Sequence, residues 1–240
     1  FTVLWRDPSF WWSLYYTLYY GLAATLIGLP LAIALALCLI KSFPGKAIFA
    51  HLYKLPLMLP YAVGIALAVI MMGNGGLLAR AAASLGWIND PAQFPRLLQT
   101  HAGWGIIAVY VWKQMPFMTL AIHAVLVDAG RDRVEVAATL GANDRQIFWR
   151  ITMPQIMPGI VSSSLICFAF NMGAFEAPFI LGGGFPDTLP VLAWRYFNNP
   201  DYAMQAQGMA VIVSIGLVAG SMIALYLAAY RRFETRLGRL

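Results

Sequence analysis

Five stretches of this chain, 13–39, 55–72, 104–127, 159–181 and 207–230, hold between them only two Lys, Arg, Asp or Glu side chains, Lys113 and Glu176. Roughly 20 apolar residues in an α-helix cross the hydrocarbon core of a bilayer, and a helix satisfies its own backbone where no water can. Each stretch reaches or approaches that length. The fold class that follows is all-α, a polytopic membrane protein with five spans in one transmembrane domain covering 1–240. Composition agrees: charged residues make up 11% of the chain, against about a quarter in a soluble domain. The net charge of +6 is then first a signal of orientation in the membrane. Cys38 and Cys167 lie in separate apolar stretches, which reads as two buried thiols.

The longest polar interruption, 128–158, carries the most local design. From position 131 to Leu140 there is neither Gly nor Pro, and Gly141 follows, where a helix end favours a residue that tolerates positive φ. Asn143 is placed to cap a second short helix, with Gln146 three residues on as the other half of a capping box. Pro154 and Pro158 punctuate the far side, with Pro154 near the end of that helix. Small Ala137 and Ala138 let another surface approach. Four acids (Asp128, Asp132, Glu135, Asp144) balance four arginines (Arg131, Arg133, Arg145, Arg150). A loop that only held anionic lipid would be mostly basic, so a protein partner suits this one better.

The segment resembles the cytoplasmic "EAA" loop of permease subunits in bacterial binding-protein-dependent ABC importers. That pattern is Glu-Ala-Ala, three residues, Gly, nine residues, then Ile-x-Leu-Pro. Here Glu135, Ala137, Gly141, Ile151 and Pro154 fall on it with its full spacing. Val136 stands where Ala is usual and Met153 where Leu is usual, both still apolar. The resemblance extends to 173–184, to Leu189-Pro190-Val191 and to the Asp-Pro-x-Phe-Trp stretch at 7–11.

Charge asymmetry orients the chain. Segments 41–54 and 128–158 and the C-terminal tail hold eleven Lys and Arg, whereas Arg6, Arg80, Arg96 and Arg195 make four on the opposite side. The positive-inside rule puts the loop and the C-terminus in the cytoplasm and residue 1 outside. With residue 1 outside, and as the resemblance implies, a sixth span is expected ahead of Phe1 in the full-length product. Aromatics crowd 5–20, as at a membrane–water boundary. Outside the spans, 77–85 and 188–198 read as short interfacial helices within the outer loops 73–103 and 182–206, the second alternatively re-entrant.

Little in the chain points to chemistry. His51, His101 and His123 lack metal-ligand spacing, and neither a P-loop nor a GxSxG motif is present. Ser162, Ser163 and Ser164 read as a helix-packing surface. The expectation is a non-enzyme with no metal and no cofactor of its own. Lys113 and Glu176 stand out, since a charge at the bilayer centre costs roughly 3 kcal/mol or more and must face protein or water. Counted along their helices they differ in depth by about one turn. Two readings stay open: an ion pair between spans three and four, or a lining of the translocation pathway together with Gln114 and Asn171.

The resemblance implies an inner-membrane permease subunit of a type I ABC importer, of the branch serving polyamines, ferric iron, thiamine, sulfate and phosphonates. It implies that Glu135, Ala137, Ala138, Gly141, Ala142, Ile151 and Pro154 form a coupling helix docked on a pair of cytoplasmic ATPase subunits, which hold the ATP and Mg. A second permease, the same or different, would complete the pore, and an extracytoplasmic solute-binding protein would deliver substrate. Nucleic acid is not an expected partner. A polyamine-like cation is the expected solute, because Glu176 is placed to pair with an amine. The alternative is a membrane scaffold or channel with no ATPase coupling.

Overall fold

The computed structural model describes residues 3–130, 132–184 and 186–236; the expectations resting on Phe1, Arg131 and Arg239 fall outside them. Every regular element among the described residues is helical. Five helical runs are long and apolar enough to cross a membrane: Pro8–Ile40, Tyr61–Ser84, Trp104–Asp128, Asp144–Gly173 and Tyr202–Arg232. Cα packing divides the chain into two compact units. One comprises Phe1–Ala24, Leu59–Val111 and Phe168–Leu240, the other Thr25–Met58 and Trp112–Cys167.

Prolines interrupt some of the helices and sit inside others. The first span, α1, runs Pro8–Ile40 and keeps Pro30 inside it. After α2 (Lys46–Leu52), the expected second span 55–72 is not one helix. It is split into α3 (Leu55–Met58) and α4 (Tyr61–Met72), with Pro60 between them in an extended conformation, ψ 151°. Proline has no N–H to continue the ladder and clashes with the carbonyl four residues back. The outer helix α5 (Leu77–Ser84) forms where 77–85 predicted it. The third span, α6 (Trp104–Asp128), agrees within a residue with the sequence reading and carries Pro116 within it.

The fourth span departs most from expectation. Helix begins at α7 (Asp132–Thr139), resumes at α8 (Asp144–Ile147), widens into a π-turn over Phe148–Thr152 and continues as α9 (Met153–Gly173). Pro154 therefore lies at the start of the long helix rather than near the end of a short one. It has no N–H for the Arg150 carbonyl, and the wide turn lies just N-terminal to it. At the other end, the predicted limit of Leu181 is reached only after a break. Helix α10 (Glu176–Leu181) starts afresh after Phe175, which places Pro178 in a first turn, where a missing N–H is harmless. Then come α11 (Leu189–Phe197), with Thr188 at its N-cap position, and the long α12 (Tyr202–Arg236).

Each unit has its own core. In the first, Tyr20, Ile65, Ile106, Tyr110 and Leu181 pack together, and a second cluster joins Leu4 and Phe10 to Leu189, Leu192, Tyr196 and Val211. In the second, Ala32 and Ala36 of α1 meet Met118, Ile122 and Leu126 of α6 and Ile156 and Ile160 of α9. Gly159 lets α9 come so close that a Cβ there would stand 3.1 Å from the Ala121 carbonyl oxygen. The serines 163 and 164 are buried and donate to carbonyls of their own helix, to Gly159 at 2.6 Å and Val161 at 3.1 Å, as a packing surface requires. Cysteine corrects one expectation. Cys167 is buried but Cys38 is exposed on the surface of α1, a surface that sequence periodicity in an all-apolar helix does not mark.

Helix α11 is fastened to the start of α1. Its first N–H, on Leu189, donates to Thr17 Oγ1 at 2.8 Å, and the Tyr196 hydroxyl donates to Asp7 Oδ2 at 2.6 Å. Arg195 and Asp187 form an ion pair at 2.7 Å beside them. Burial pushes the Asp7 carboxyl up, but the bonds from Tyr196 and Ser9 outweigh it and hold it below its ordinary value. This stabilisation is complete above the ordinary aspartate range and is lost as pH falls through the lowered value. Asp187 has the opposite sign: burial outweighs Arg195 and raises it, so acid favours its folded form. Tyr196→Phe is expected to lower stability by about 1 kcal/mol at neutral pH. It should also flatten the loss of thermal stability below about pH 4; acid melting curves that fall equally steeply in both proteins would exclude the Asp7 link.

Candidate coupling site

Both local devices expected in 128–158 are present, with full geometry. Helix α7 carries Asp132 and Glu135 in its first turn, where acids complement the positive end of the helix dipole. At its other end the Ala142 N–H donates to the Ala137 carbonyl and the Gly141 N–H to that of Ala138, both at 3.0 Å. That nested pair is a Schellman cap, and Gly141 takes the left-handed φ of +82° it requires. Asn143 then opens α8 with a reciprocal box. Its side chain accepts from the Gln146 N–H at 2.9 Å, and its own N–H donates to the Gln146 side chain at 3.0 Å. The bend between the two helices is thus closed on both sides within six residues.

The bend sorts the loop into two faces. Val136, Leu140 and Trp149 point outward and are 57%, 82% and 56% exposed. Val134 and Glu135 instead help to line an open groove of about 980 Å³, whose other walls are the ends of α1 and α6 and the α8 segment. Among the expected coupling residues, Glu135, Ala138 and Gly141 are exposed, and Ala137, Ala142, Ile151 and Pro154 are half-buried. The Schellman bond ties Ala137 to Ala142. Ile151 lies in the π-turn and Pro154 at the base of α9. Sequence reasoning missed the π-turn and the groove, along with the exposed apolar triad. Its one available signal was 41–54, where three lysines occur without an acid.

The polar groups inside the spans separate by unit. Lys113 and Gln114 belong to the second, Asn171 and Glu176 to the first. Lys113 is half-buried, and its ammonium donates to the Pro56 carbonyl at 2.7 Å. That carbonyl lies four residues before Pro60, which has no N–H to offer it. The lysine thus satisfies an acceptor that the helix break leaves without its ladder donor. Gln114 and Asn171 are buried. Glu176 is exposed at the first position of α10, so the break in span four puts it at a helix start and not in mid-helix.

Residues 28–239 match the family described as binding-protein-dependent transport system inner membrane component. The chain belongs to this family. Among its relatives, the molybdenum transport system permease protein ModB of Mycobacterium tuberculosis is 29% identical over 226 residues, 92% of this chain and 81% of that protein. The sulfate transport system permease protein CysW of Synechocystis sp. is 31% identical over 199 residues, 79% of this chain and 68% of that protein. Solved structures share the fold. A bacterial ABC transporter that imports the acidic polysaccharide alginate aligns with a TM-score of 0.81 at 20% identity, covering 96% of this chain and 82% of that one. The MetNI methionine ABC transporter aligns at 0.56 with 16% identity, covering 93% and 91%.

The permease is therefore a multi-pass inner-membrane protein of an ABC importer, and its relatives are transport permeases rather than enzymes. The alternative of a scaffold or channel outside that class is set aside. The polyamine-like cation expected from Glu176 finds no support, since the relatives named above are permeases for molybdenum and sulfate.

Proposed function

We propose that this permease forms one half of a translocation pathway for a small oxyanion of the molybdate or sulfate kind. ATP hydrolysis on a separate pair of cytoplasmic ATPase subunits drives it, and an extracytoplasmic binding protein supplies it. The observation that carries the coupling role is the Schellman-capped, boxed bend at Gly141. A rigid, exposed helix pair with an apolar outer face is what a partner protein needs in order to push on the membrane helices. The lysine and arginine asymmetry supports a cytoplasmic side for that bend and for the C-terminus. The substrate class rests on the relatives' names. Lys113 fits it, because a cation held among freed carbonyls inside the spans favours passage of an anion.

Two measurements test this reading. Affinity purification of the tagged permease from its native membrane should bring down an ATPase and a second permease; a stable, solitary protein would refute the coupling role. Proteoliposomes of that complex, with its binding protein, should take up labelled molybdate or sulfate in an ATP-dependent manner, whereas uptake of spermidine and of neither oxyanion would refute the substrate class. In the same assay Lys113→Gln is expected to lower oxyanion uptake about tenfold or more, an effect of at least 1.4 kcal/mol, and Lys113→Arg to retain most of it. Equal uptake by wild type and Lys113→Gln would remove the lysine from the pathway.

A further inference from the structure

The groove behind the bend carries charged side chains of both signs beside an apolar lining. Its apolar lining comes from the ends of two spans, with Leu37 and Ile40 on α1 and Leu126 on α6, joined by Phe148 from the π-turn. Lys41 and Lys46, on the segment that leaves α1, line it too, as do Glu135 and Asp144 on the bend. Lys46 is half-buried, and the other three are exposed. Two cations and two carboxylates therefore share a groove with apolar side chains from the ends of two spans.

We infer that this groove binds phosphatidylethanolamine from the surrounding leaflet: its phosphate at Lys41 and Lys46, its ammonium at Glu135 and Asp144, and an acyl chain along Leu37, Ile40 and Leu126. Three features favour a lipid over a segment of a partner protein. The apolar lining is built from residues at the ends of membrane-spanning helices. The outward face of the bend, with Val136, Leu140 and Trp149, lines no part of the groove and remains free for a protein. A phospholipid also brings an apolar chain for the apolar lining, together with a headgroup for the charged residues beside it. The two signs narrow the class. An anionic phosphatidylglycerol offers the acids hydroxyls but no cation, and the quaternary ammonium of phosphatidylcholine has no N–H to donate to a carboxylate. A lipid held this way bridges the span ends and the bend. The inference does not depend on which solute is transported.

The test uses the complete transporter, purified in detergent after equilibration with vesicles of equal phosphatidylethanolamine, phosphatidylglycerol and phosphatidylcholine. Lipid retained by the complex is counted by native mass spectrometry. Wild type should retain phosphatidylethanolamine about tenfold over phosphatidylcholine. Lys41→Ala with Lys46→Ala should lose that retention, and Lys41→Arg with Lys46→Arg should keep it, which separates lost charge from a misfolded loop. Asp144→Asn should keep the lipid phosphate and lose the headgroup preference, holding phosphatidylglycerol as well as phosphatidylethanolamine. A photo-crosslinking residue placed at Ser42, which also lines the groove, should gain the mass of a phospholipid. Retention unchanged in the lysine-to-alanine pair, no preference in wild type, or a protein adduct at position 42 would each overturn the inference.

Discussion

Gly141→Val is expected to abolish substrate-stimulated ATP hydrolysis in the assembled transporter while leaving the spans inserted. At φ +82°, an L-residue costs roughly 1–2 kcal/mol, and a β-branched side chain fares worst. The penalty is conformational and not steric, because a Cβ at this position would meet nothing within 4 Å. The backbone must therefore leave the left-handed region, and both Schellman bonds go with it. The bend then loses the angle that holds α7 against α8 and the π-turn. Gly141→Asn, which tolerates the left-handed region better, should keep a substantial part of the coupled rate. ATPase measurements in proteoliposomes with and without substrate-loaded binding protein decide it. Coupled turnover at the wild-type level in Gly141→Val would show that the bend angle is irrelevant to coupling.

Gly103→Ala should cause a large loss of stability from a single methyl group. The residue has φ +65°, and its missing Cβ would fall on ring carbons of Tyr20. That ring has no room to move. It is 5% exposed, its hydroxyl donates to the His101 carbonyl at 3.0 Å, and the rings of Tyr16 and Tyr19 stand 5.7 and 5.3 Å away. Overpacking and the left-handed backbone together cost roughly 2–5 kcal/mol, or about 5–15 °C in a thermal melt of a chain this size. Gly216→Ala is the control. Gly216 lies inside α12 with nothing within 4 Å of a Cβ, so alanine there should be neutral or stabilise by up to about 1 kcal/mol. Similar melting shifts in the two variants would show that the fit around Tyr20 contributes little.

How much of this the sequence discloses depends on the range of the forces involved. The cap at Gly141 and the box at Asn143 and Gln146 are short-range chemistry, decided by residues within a few positions of one another, and they are legible. So are the spans, because the bilayer requires apolar length and little else. The breaks at Pro60 and after Gly173 are less legible. Pro30, Pro116 and Pro158 remain inside helices, and only tertiary surroundings decide which proline interrupts one. The exposure of Cys38 is hidden for a related reason: an all-apolar helix has no hydrophobic stripe to tell its packed face from its lipid face. Lys113 announces itself by its charge, but its acceptor, the Pro56 carbonyl, is 57 residues away and visible only once Pro60 is known to break the helix. The groove is least legible, for its walls come from four separate segments and its charges read singly as surface decoration.

The π-turn at Phe148–Thr152 bears on how the bend is aimed. An α-helix advances about 100° of azimuth per residue, so its side chains keep a fixed phase from one end to the other. One wide turn slips that phase, and everything N-terminal to it is swivelled about the helix axis relative to the rest of α9. The bearing on which α8 presents itself is therefore a matter of counting residues. Deleting one residue between Phe148 and Thr152 would put the helix back in phase and rotate the exposed face of the bend to a different bearing, with every side chain in it unchanged.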